Sequence, residues 1–464
     1  MGVAGGAPAM DRLRESMAAL VRELLQLALL GLLVGLACWP FNLLDRVQDR
    51  LLGLLPIFSG RPWSPLTLAL ASSPVLVVPL LLLLQRGVWP RGAGSGIPQT
   101  MTSIDEPAQA DRLLGIRPTL QRFGLWAVAT LALLPMGREG PVVHVGAAVA
   151  QALRRRFPAQ VPRLAPEHLL ALGAGAGLAG GFNTPLVGVV FVMEEFIGRF
   201  SAVLVWPALV ACAVAAAFSN LTGQPMFALG RLTADSAELV QVLWALPIGV
   251  LGGLLGALFG RLLLAFTRWA APVVRRRPLA IGLAVGGSLS AFLLLSGGSS
   301  GGDGELLMVH LIHRGAVGGA LGPGPLADWL ALALRLIGPV LTLGLGIPGG
   351  LIDPSFAFGA LLGHGLAGLA GLGALGTALG MAAGLAGATQ LPVTTVLFSL
   401  RLAADQQLLP GLLVSAVLAA YVSRLVLDRP IYHALRDLMT PATPPPPPAL
   451  QQPPPALQQP PPAR

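Results

Sequence analysis

The sequence predicts an all-α membrane protein that crosses a bilayer many times, through tilted and broken helices. Hydrophobic residues make up 54% of the 464 residues and charged residues 11%, and the mean hydropathy of +0.73 is too high for a soluble domain of this size. The 59 glycines and 42 prolines break many segments, which a bilayer tolerates where the freed backbone groups find partners or line a polar cavity. Apolar stretches of spanning length run from Leu24 to Pro40, Leu66 to Leu84, Val203 to Phe218, Leu239 to Phe259 and Leu279 to Leu295.

The positive charge of the chain is explained by membrane topology. The formal net charge of +9 comes from arginine without any lysine, and short arginine clusters such as Arg154 to Arg156 and Arg275 to Arg277 flank apolar spans. Such clusters are typical of the cytoplasmic ends of membrane helices. A polar stretch, Asp11 to Glu23, runs directly into an apolar one, which does not resemble a cleaved signal peptide. We therefore expect a multi-pass protein of the cell (inner) membrane, with a lipid bilayer and no nucleic acid as partner.

The chain repeats itself. The pattern Gly-x-x-x-Pro-x-x-x-x-Gly occurs at Gly137 and again at Gly350, an offset of 213, and Ala-Gly-Leu-Ala-Gly occurs at Ala176 and at Ala383, an offset of 207. Two matches in the same order indicate a duplicated unit, and such repeats are typical of secondary transporters with a substrate site between the halves. We divide the chain into an N-terminal helix (1–23), two transmembrane repeats (24–222 and 223–440, the second with a C-terminal helix) and a disordered proline-rich tail (441–464).

Three segments predict helices that begin inside the membrane and face an anion. They are Gly94 to Pro98, Gly137 to Pro141 and Gly350 to Pro354, where glycine permits a turn and proline is expected at the first helical position. The first amides of a helix have no intrahelical partner and carry partial positive charge, so they bind an anion without a full cation. Any one of these segments could be an ordinary loop-to-helix junction, but three together favour a role in holding an anion.

These segments resemble, in order, the three signature segments of the chloride channel and transporter (CLC) family, most closely its prokaryotic chloride/proton antiporters. Pro430 to Tyr432 resembles the family segment that supplies a tyrosine hydroxyl, and the likeness covers roughly Leu24 to Met439. The resemblance implies an inverted-repeat fold and hydroxyl donors to chloride at Ser95 and Tyr432. The remaining anion-binding positions that it implies are Gly96, Ile97, Arg138, Gly140, Leu351 and Ile352.

Two glutamates are the predicted proton-handling groups. The resemblance makes Glu139 the gate, whose ionised carboxylate occupies an anion position, and Glu195 the inner proton-transfer group. An acidic residue inside a membrane segment is costly and by default functional. Channels of the family usually lack the second carboxylate, so Glu195 favours exchange of chloride for protons over the alternative of a passive chloride channel. Glu194 and Glu195 could instead cap a helix end and pair with Arg199.

Other candidate residues leave alternatives open. Asp353 stands where the family carries a small or apolar residue; it could be a helix N-cap or a second titratable group on the pathway. His144 could lie near the outer pathway or simply pack on a helix face. Cys38 and Cys212 are expected to be free thiols, because both lie in apolar segments. We expect no metal site and no cofactor.

The resemblance also implies a homodimer with one pathway per subunit and cytoplasmic termini. By the same resemblance, Ser95 implies a preference for chloride over nitrate, and Tyr432 implies that the chain is not of the fluoride-exporting branch. An intramembrane hydrolase with Ser95 as its nucleophile is the enzymatic alternative, but the sequence indicates no histidine as the base. We therefore expect a transporter and not an enzyme.

Overall fold

The computed structural model describes residues 7–221, 238–314 and 324–439. Every regular element within these ranges is a helix, and six helical segments there are long and apolar enough to cross a membrane. The all-α prediction is confirmed. The helices of the first half are α1 Ala7–Gly53, α2 Pro56–Ser59, α3 Pro65–Ser72, α4 Pro74–Arg86, α5 Ile97–Asp105, α6 Ala110–Leu113, α7 Ile116–Leu131, α8 Glu139–Arg156, α9 Pro166–Phe182, α10 Pro185–Phe191 and α11 Ala202–Phe218.

The second half repeats the mixture of long and short helices. The first half also contains short 3₁₀ turns at Pro107–Gln109 and Pro158–Gln160 and a π-helical turn, Val192–Ile197, that follows α10. The second half has a 3₁₀ turn at Gln406–Leu408. The helices of the second half are α12 Glu238–Arg276, α13 Pro278–Leu295, α14 Glu305–Arg314, α15 Pro325–Gly344, α16 Ile352–Ala370, α17 Ala374–Thr389, α18 Pro392–Ala403, α19 Leu409–Val426 and α20 Ile431–Met439.

Two of the predicted segment boundaries differ from the helices. The apolar stretch Leu66 to Leu84 is divided between α3 and α4 at Ser73, because Pro74 has no amide hydrogen with which to continue the first helix. The division at residue 23 falls inside α1, which continues to Gly53. The division at residue 223 and the proline-rich tail lie outside the described residues. Cys38 and Cys212 are buried free thiols, as expected.

The duplication is visible in the packing of glycines between helices. A Cβ atom added to Gly146 of α8 would lie 2.8 Å from Gly177 Cα of α9. A Cβ atom added to Gly359 of α16 would lie 2.9 Å from Gly384 Cα of α17. These pairs are related by the offsets 213 and 207 found in the sequence, so both repeats use the same close helix contact.

The repeats meet through their own equivalent residues. The amide of Gly137 donates to the carbonyl of Gly350 at 2.9 Å, and the amide of Gly350 donates to the carbonyl of Gly137 at 2.8 Å. This isolated antiparallel bridge joins two positions 213 residues apart. Equivalent residues that pair antiparallel are related by a local two-fold axis, so the seam between the repeats passes through the second and third motif segments.

Candidate functional site

The first motif segment forms a loop at the start of α5 that hydrogen bonds hold in place. Gly96 has φ +113°, which favours glycine, and α5 begins at Ile97, so Pro98 is the second helical residue and not the first. The Gly96 amide donates to Gln99 Oε1 at 2.9 Å, and the amide of Gly94 donates to a carbonyl of the segment before the third motif at 2.8 Å. The loop that carries Ser95 is therefore fixed from both sides.

A buried arginine and His144 support this loop. The Arg122 guanidinium donates to the carbonyls of Gly94 and Ala93, each at 3.1 Å. Arg122 Nη1 lies 2.8 Å from His144 Nε2, which is also 3.2 Å from the Thr119 hydroxyl. His144 is 1% exposed. His144 therefore contacts Arg122, and Arg122 in turn holds the loop that carries Ser95.

The three motif segments converge on Gly140. A Cβ atom there would overlap Ser95 Oγ and the Ser95 carbonyl, and it would lie 2.8 Å from the carbonyl of Gly349. A Cβ atom on Gly96 would in turn overlap the Gly140 carbonyl. No side chain fits between these backbones, so the segments predicted from scattered positions in the sequence form one site.

Glu139 lies on the seam between the repeats. Its side chain is fully buried, and its Oε1 accepts a hydrogen bond from the Asp353 amide in the first turn of α16. The carboxylate lies against Gly137 and Gly350, where an added Cβ atom would overlap it. The negative group thus occupies the N-terminal end of α16, where unpaired amides favour an anion.

The Arg138 side chain points away from this site. It forms an ion pair with Asp45 of α1, lies 3.9 Å from Glu305 of α14, and stacks over the Phe182 ring at 4.6 Å. Ligand oxygens of Asp45, Asp303 and Glu305 lie within 4.8 Å of one another. The guanidinium of Arg138 therefore pairs with this acidic cluster, and only the Arg138 backbone is left to contact an anion. The sequence patterns did not single out the cluster.

Two hydroxyls are left without protein partners. Ser95 Oγ and Tyr432 Oη are buried, and neither has a hydrogen-bond partner within the described ranges. Tyr432 is the second residue of α20. A buried hydroxyl without a hydrogen-bond partner is costly, so these two hydroxyls are candidates to bind a ligand.

A cavity of about 250 Å³ reaches this region. Ser95, Leu351 and Leu435 are among its lining residues, and they come from the first motif, the third motif and α20. Its walls are mainly apolar, with Gln99 and Thr267 as further polar groups. The cavity gives a small ligand access to the Ser95 loop from the side of α20.

Asp353 lies beside the gate and does not cap its helix. Helix α16 begins at Ile352 with Leu351 at the N-cap position, and no side chain caps it. The N-cap interpretation of Asp353 is therefore wrong; the residue is the second of the helix. Its side chain is fully buried, and neither carboxylate oxygen has a hydrogen-bond partner among the described residues. Proline likewise stands third in α16, not first as predicted.

The adjacent glutamates of the π-helical turn have different surroundings. Glu194 accepts hydrogen bonds from the amides of Val393 at 3.1 Å and Thr394 at 2.8 Å, and thereby caps the start of α18. Glu195 is 4% exposed, its Oε1 accepts no hydrogen bond within the described chain, and it lies 3.8 Å from His433 Nε2. π-Helical turns are frequent at functional sites. His433 was not singled out from the sequence.

Comparisons with known proteins agree with this geometry. A family model described as voltage gated chloride channel matches residues 75–424. The chain is 29% identical over 449 residues to the H(+)/Cl(-) exchange transporter ClcA of Cronobacter sakazakii, which is 89% of this chain and 88% of that protein. It is 31% identical over 373 residues to the ClcA of Vibrio cholerae, 75% of this chain and 74% of that protein.

Solved structures share the fold. A slow cyanobacterial Cl-/H+ antiporter superposes with a TM-score of 0.72 at 23% identity, covering 90% of this chain and 98% of the other. A CLC-type fluoride/proton antiporter superposes with a TM-score of 0.68 at 26% identity, covering 86% and 95%. The expectation of a transporter and not an enzyme is confirmed. Because the family model covers more than half of the sequence and the motif segments meet around Gly140, this chain belongs to the voltage gated chloride channel (CLC) family.

Proposed function

We propose that this protein exchanges chloride for protons across a membrane. The similar proteins are named H(+)/Cl(-) exchange transporters, and they align with most of this chain. The observation that carries the proposal is the pair of buried carboxylates: Glu139 at the start of α16 and Glu195 beside His433. Two buried groups that can bind protons provide what exchange needs and a passive pore does not.

Chloride binds between the two unpaired hydroxyls and the helix starts. Ser95 and Tyr432 donate to it, and neither has another partner in the described part of the chain. Backbone dipoles bind more weakly than a fixed cation, which lets the ion leave again. The backbone positions proposed to complete the site are Gly96, Ile97, Arg138, Gly140, Leu351 and Ile352.

Glu139 is the gate in this proposal. While ionised, its carboxylate accepts a hydrogen bond from the Asp353 amide and thereby competes with chloride for the start of α16. When protonated, it loses the charge that holds it there, and the amide becomes free for chloride. Proton and chloride occupancy are thereby linked through one position.

Glu195 carries the proton between Glu139 and the opposite side, whereas Glu194 is structural. The distinction rests on hydrogen bonding, because both Glu194 oxygens are used by the start of α18 and Glu195 Oε1 is not used. A carboxylate that is buried and free of fixed partners can bind and release a proton without breaking a structural contact.

Coupled flux in liposomes tests the function. A chloride gradient should drive uphill proton movement through the wild type, read with a pH electrode. Glu195→Gln should lower the proton flux by about a hundredfold while chloride still moves, since a neutral amide carries no proton. The matched control is Glu194→Gln. This variant should keep coupling, because Glu194 caps the start of α18 and carries no proton in the proposal.

The result also separates exchange from the alternative of a passive chloride channel. Chloride flux without uphill proton movement in the wild type, at every pH tested, would refute exchange. Retained coupling in Glu195→Gln would leave exchange intact and refute the role of Glu195 alone.

Asp353 is proposed as a second titratable group that weakens chloride binding. Its buried carboxylate has no fixed partner and interacts electrostatically with Glu139. Asp353→Asn, which keeps the shape, should tighten chloride binding by about tenfold, the scale of a like-charge interaction of about 1.4 kcal/mol. The difference, measured by calorimetry, should be largest at high pH, where the wild-type carboxyl is ionised, and should shrink as the pH falls. Equal affinities at every pH would contradict this role.

The remaining expectations extend the same proposal. We propose a homodimer in the inner membrane, with cytoplasmic termini and one pathway in each subunit. Ser95 and Tyr432 are proposed to select chloride over nitrate and fluoride, which distinguishes this chain from the fluoride/proton antiporter that shares its fold. Chloride, protons and lipid are the proposed partners, with no cofactor.

A further inference from the structure

The proposed proton carrier Glu195 is almost completely enclosed by protein. Its side chain is 1% exposed, although a transported proton must reach it from the aqueous phase. Its Oε1 atom accepts no hydrogen bond from the described residues. Glu194 is beside it in sequence but is held by the start of α18. A group that contacts both water and Glu195 would therefore give protons a wider route to this carboxylate.

His433 has both contacts. Its side chain is 37% exposed, and its Nε2 atom lies 3.8 Å from Glu195 Oε1. Imidazole gains and loses protons readily between about pH 5 and 8, and its two nitrogens can accept on one side and donate on the other. Closing the gap by about 1 Å, through a small ring rotation, gives a direct hydrogen bond.

The charges around His433 indicate that its exposed edge faces water. Arg429 and Asp437 form an ion pair and are 71% and 41% exposed. Arg436 and Asp105 form a second ion pair and are 25% and 58% exposed. These four groups come from the segment before α20, from α20 itself and from α5, and they are the charged groups that act on His433 besides Glu195. Such a charged surface does not face hydrocarbon.

We propose that His433 passes protons between water and Glu195. A proton from hydronium binds the free ring nitrogen and leaves water. The imidazolium then releases the Nε2 proton to the Glu195 carboxylate, which becomes neutral, and the ring remains neutral with its proton on Nδ1. Exchange of ring protons with water restores the first tautomer, and the reverse sequence releases protons. The proposal rests on the proposed role of Glu195.

The chain offers a matched control for this pair. His364 Nε2 lies 3.9 Å from Asp328 Oδ2, and the side chains are 15% and 14% exposed. This second histidine–carboxylate pair joins α16 to α15 and does not include Glu195. Replacement of His364 therefore removes a similar ion pair without removing the relay.

The test measures chloride-driven proton uptake in liposomes for His433→Ala, His433→Gln and His364→Ala. Both His433 variants should lose proton flux by about tenfold, while their chloride flux shows that they are folded. Imidazole added to the buffer should restore proton flux to His433→Ala, because the free base replaces the missing ring. The change of wild-type proton flux between about pH 5 and 8 should be smaller in His433→Gln, which keeps only the pH dependence of the Glu139 gate. His364→Ala should behave as the wild type.

Several outcomes would overturn the relay. Unchanged proton flux in both His433 variants would show that protons reach Glu195 by another route. A loss that imidazole does not restore, or an equal loss in His364→Ala, would show that the histidine is structural. If the wild type moves no protons, the proposed exchange fails. If Glu195→Gln keeps coupling, exchange stands but the role of Glu195 fails, and the relay fails with it. Coupling that is lost in Glu195→Gln and kept in His433→Ala refutes the relay alone.

Discussion

Glu139→Gln is expected to abolish chloride-driven proton movement and leave chloride flux in place. The amide cannot ionise, so it loses the charge that holds the side chain at the start of α16 and cannot carry a proton. We expect the proton flux to fall by about a hundredfold or more, and chloride flux to lose its dependence on pH. Simultaneous pH and chloride electrode traces from one liposome preparation give both quantities.

The control for this prediction is a second acid near the same segment. Glu305 lies 3.9 Å from the guanidinium of Arg138, the residue that precedes Glu139 in the sequence. Glu305 belongs to the acidic cluster with Asp45 and Asp303 and not to the gate. Glu305→Gln should keep proton coupling. Coupling retained in Glu139→Gln, or lost equally in both variants, would disprove the gating role of Glu139.

Gly350→Ala is expected to displace the gate without changing its chemistry. The new methyl group would coincide with Glu139 Oε2, while the backbone of Gly350 has no left-handed φ and its two hydrogen bonds to Gly137 need no side chain. Overpacking of this kind costs about 1–3 kcal/mol, so the closed position should lose occupancy by roughly five- to 150-fold. We expect fast chloride flux at high pH and fewer protons moved per chloride.

A glycine inside α16, the helix that follows Gly350, is the control. Gly368 lies near the end of α16, where an added Cβ atom meets nothing within 4 Å. Gly368→Ala should leave both fluxes and their pH dependence unchanged. If Gly350→Ala keeps wild-type pH dependence and coupling, the carboxylate does not gate from this position.

Local sequence patterns predicted the features that depend on neighbouring residues. Glycine and proline marked the helix starts at Ile97, Glu139 and Ile352, to within one or two residues. Nearly equal offsets, 213 and 207, revealed the repeats. The meeting of these starts at Gly140 followed from the resemblance and could not be read from spacing, because it joins residues far apart in the chain.

The roles of neighbouring acids could not be predicted for the same reason. Glu194 and Glu195 are identical in type and adjacent, yet one meets amides about 200 residues away and the other meets His433. The cluster around Asp303 likewise depends on which helix ends meet Arg138. No periodicity encodes such contacts, and Asp303 lies in a glycine- and serine-rich segment that gave no signal of its own.

The bridge between Gly137 and Gly350 also bears on how such a protein arose and how it can be divided. Applying the offset of 213 makes Ile352 the counterpart of Glu139, and Asp353 the counterpart of Gly140. An assembly of two identical half-length chains would carry the acid on both sides of the seam or on neither. Fusion of the halves allowed one acid to face one amide. The gate is thus a composite of both halves, and neither half expressed alone contains it.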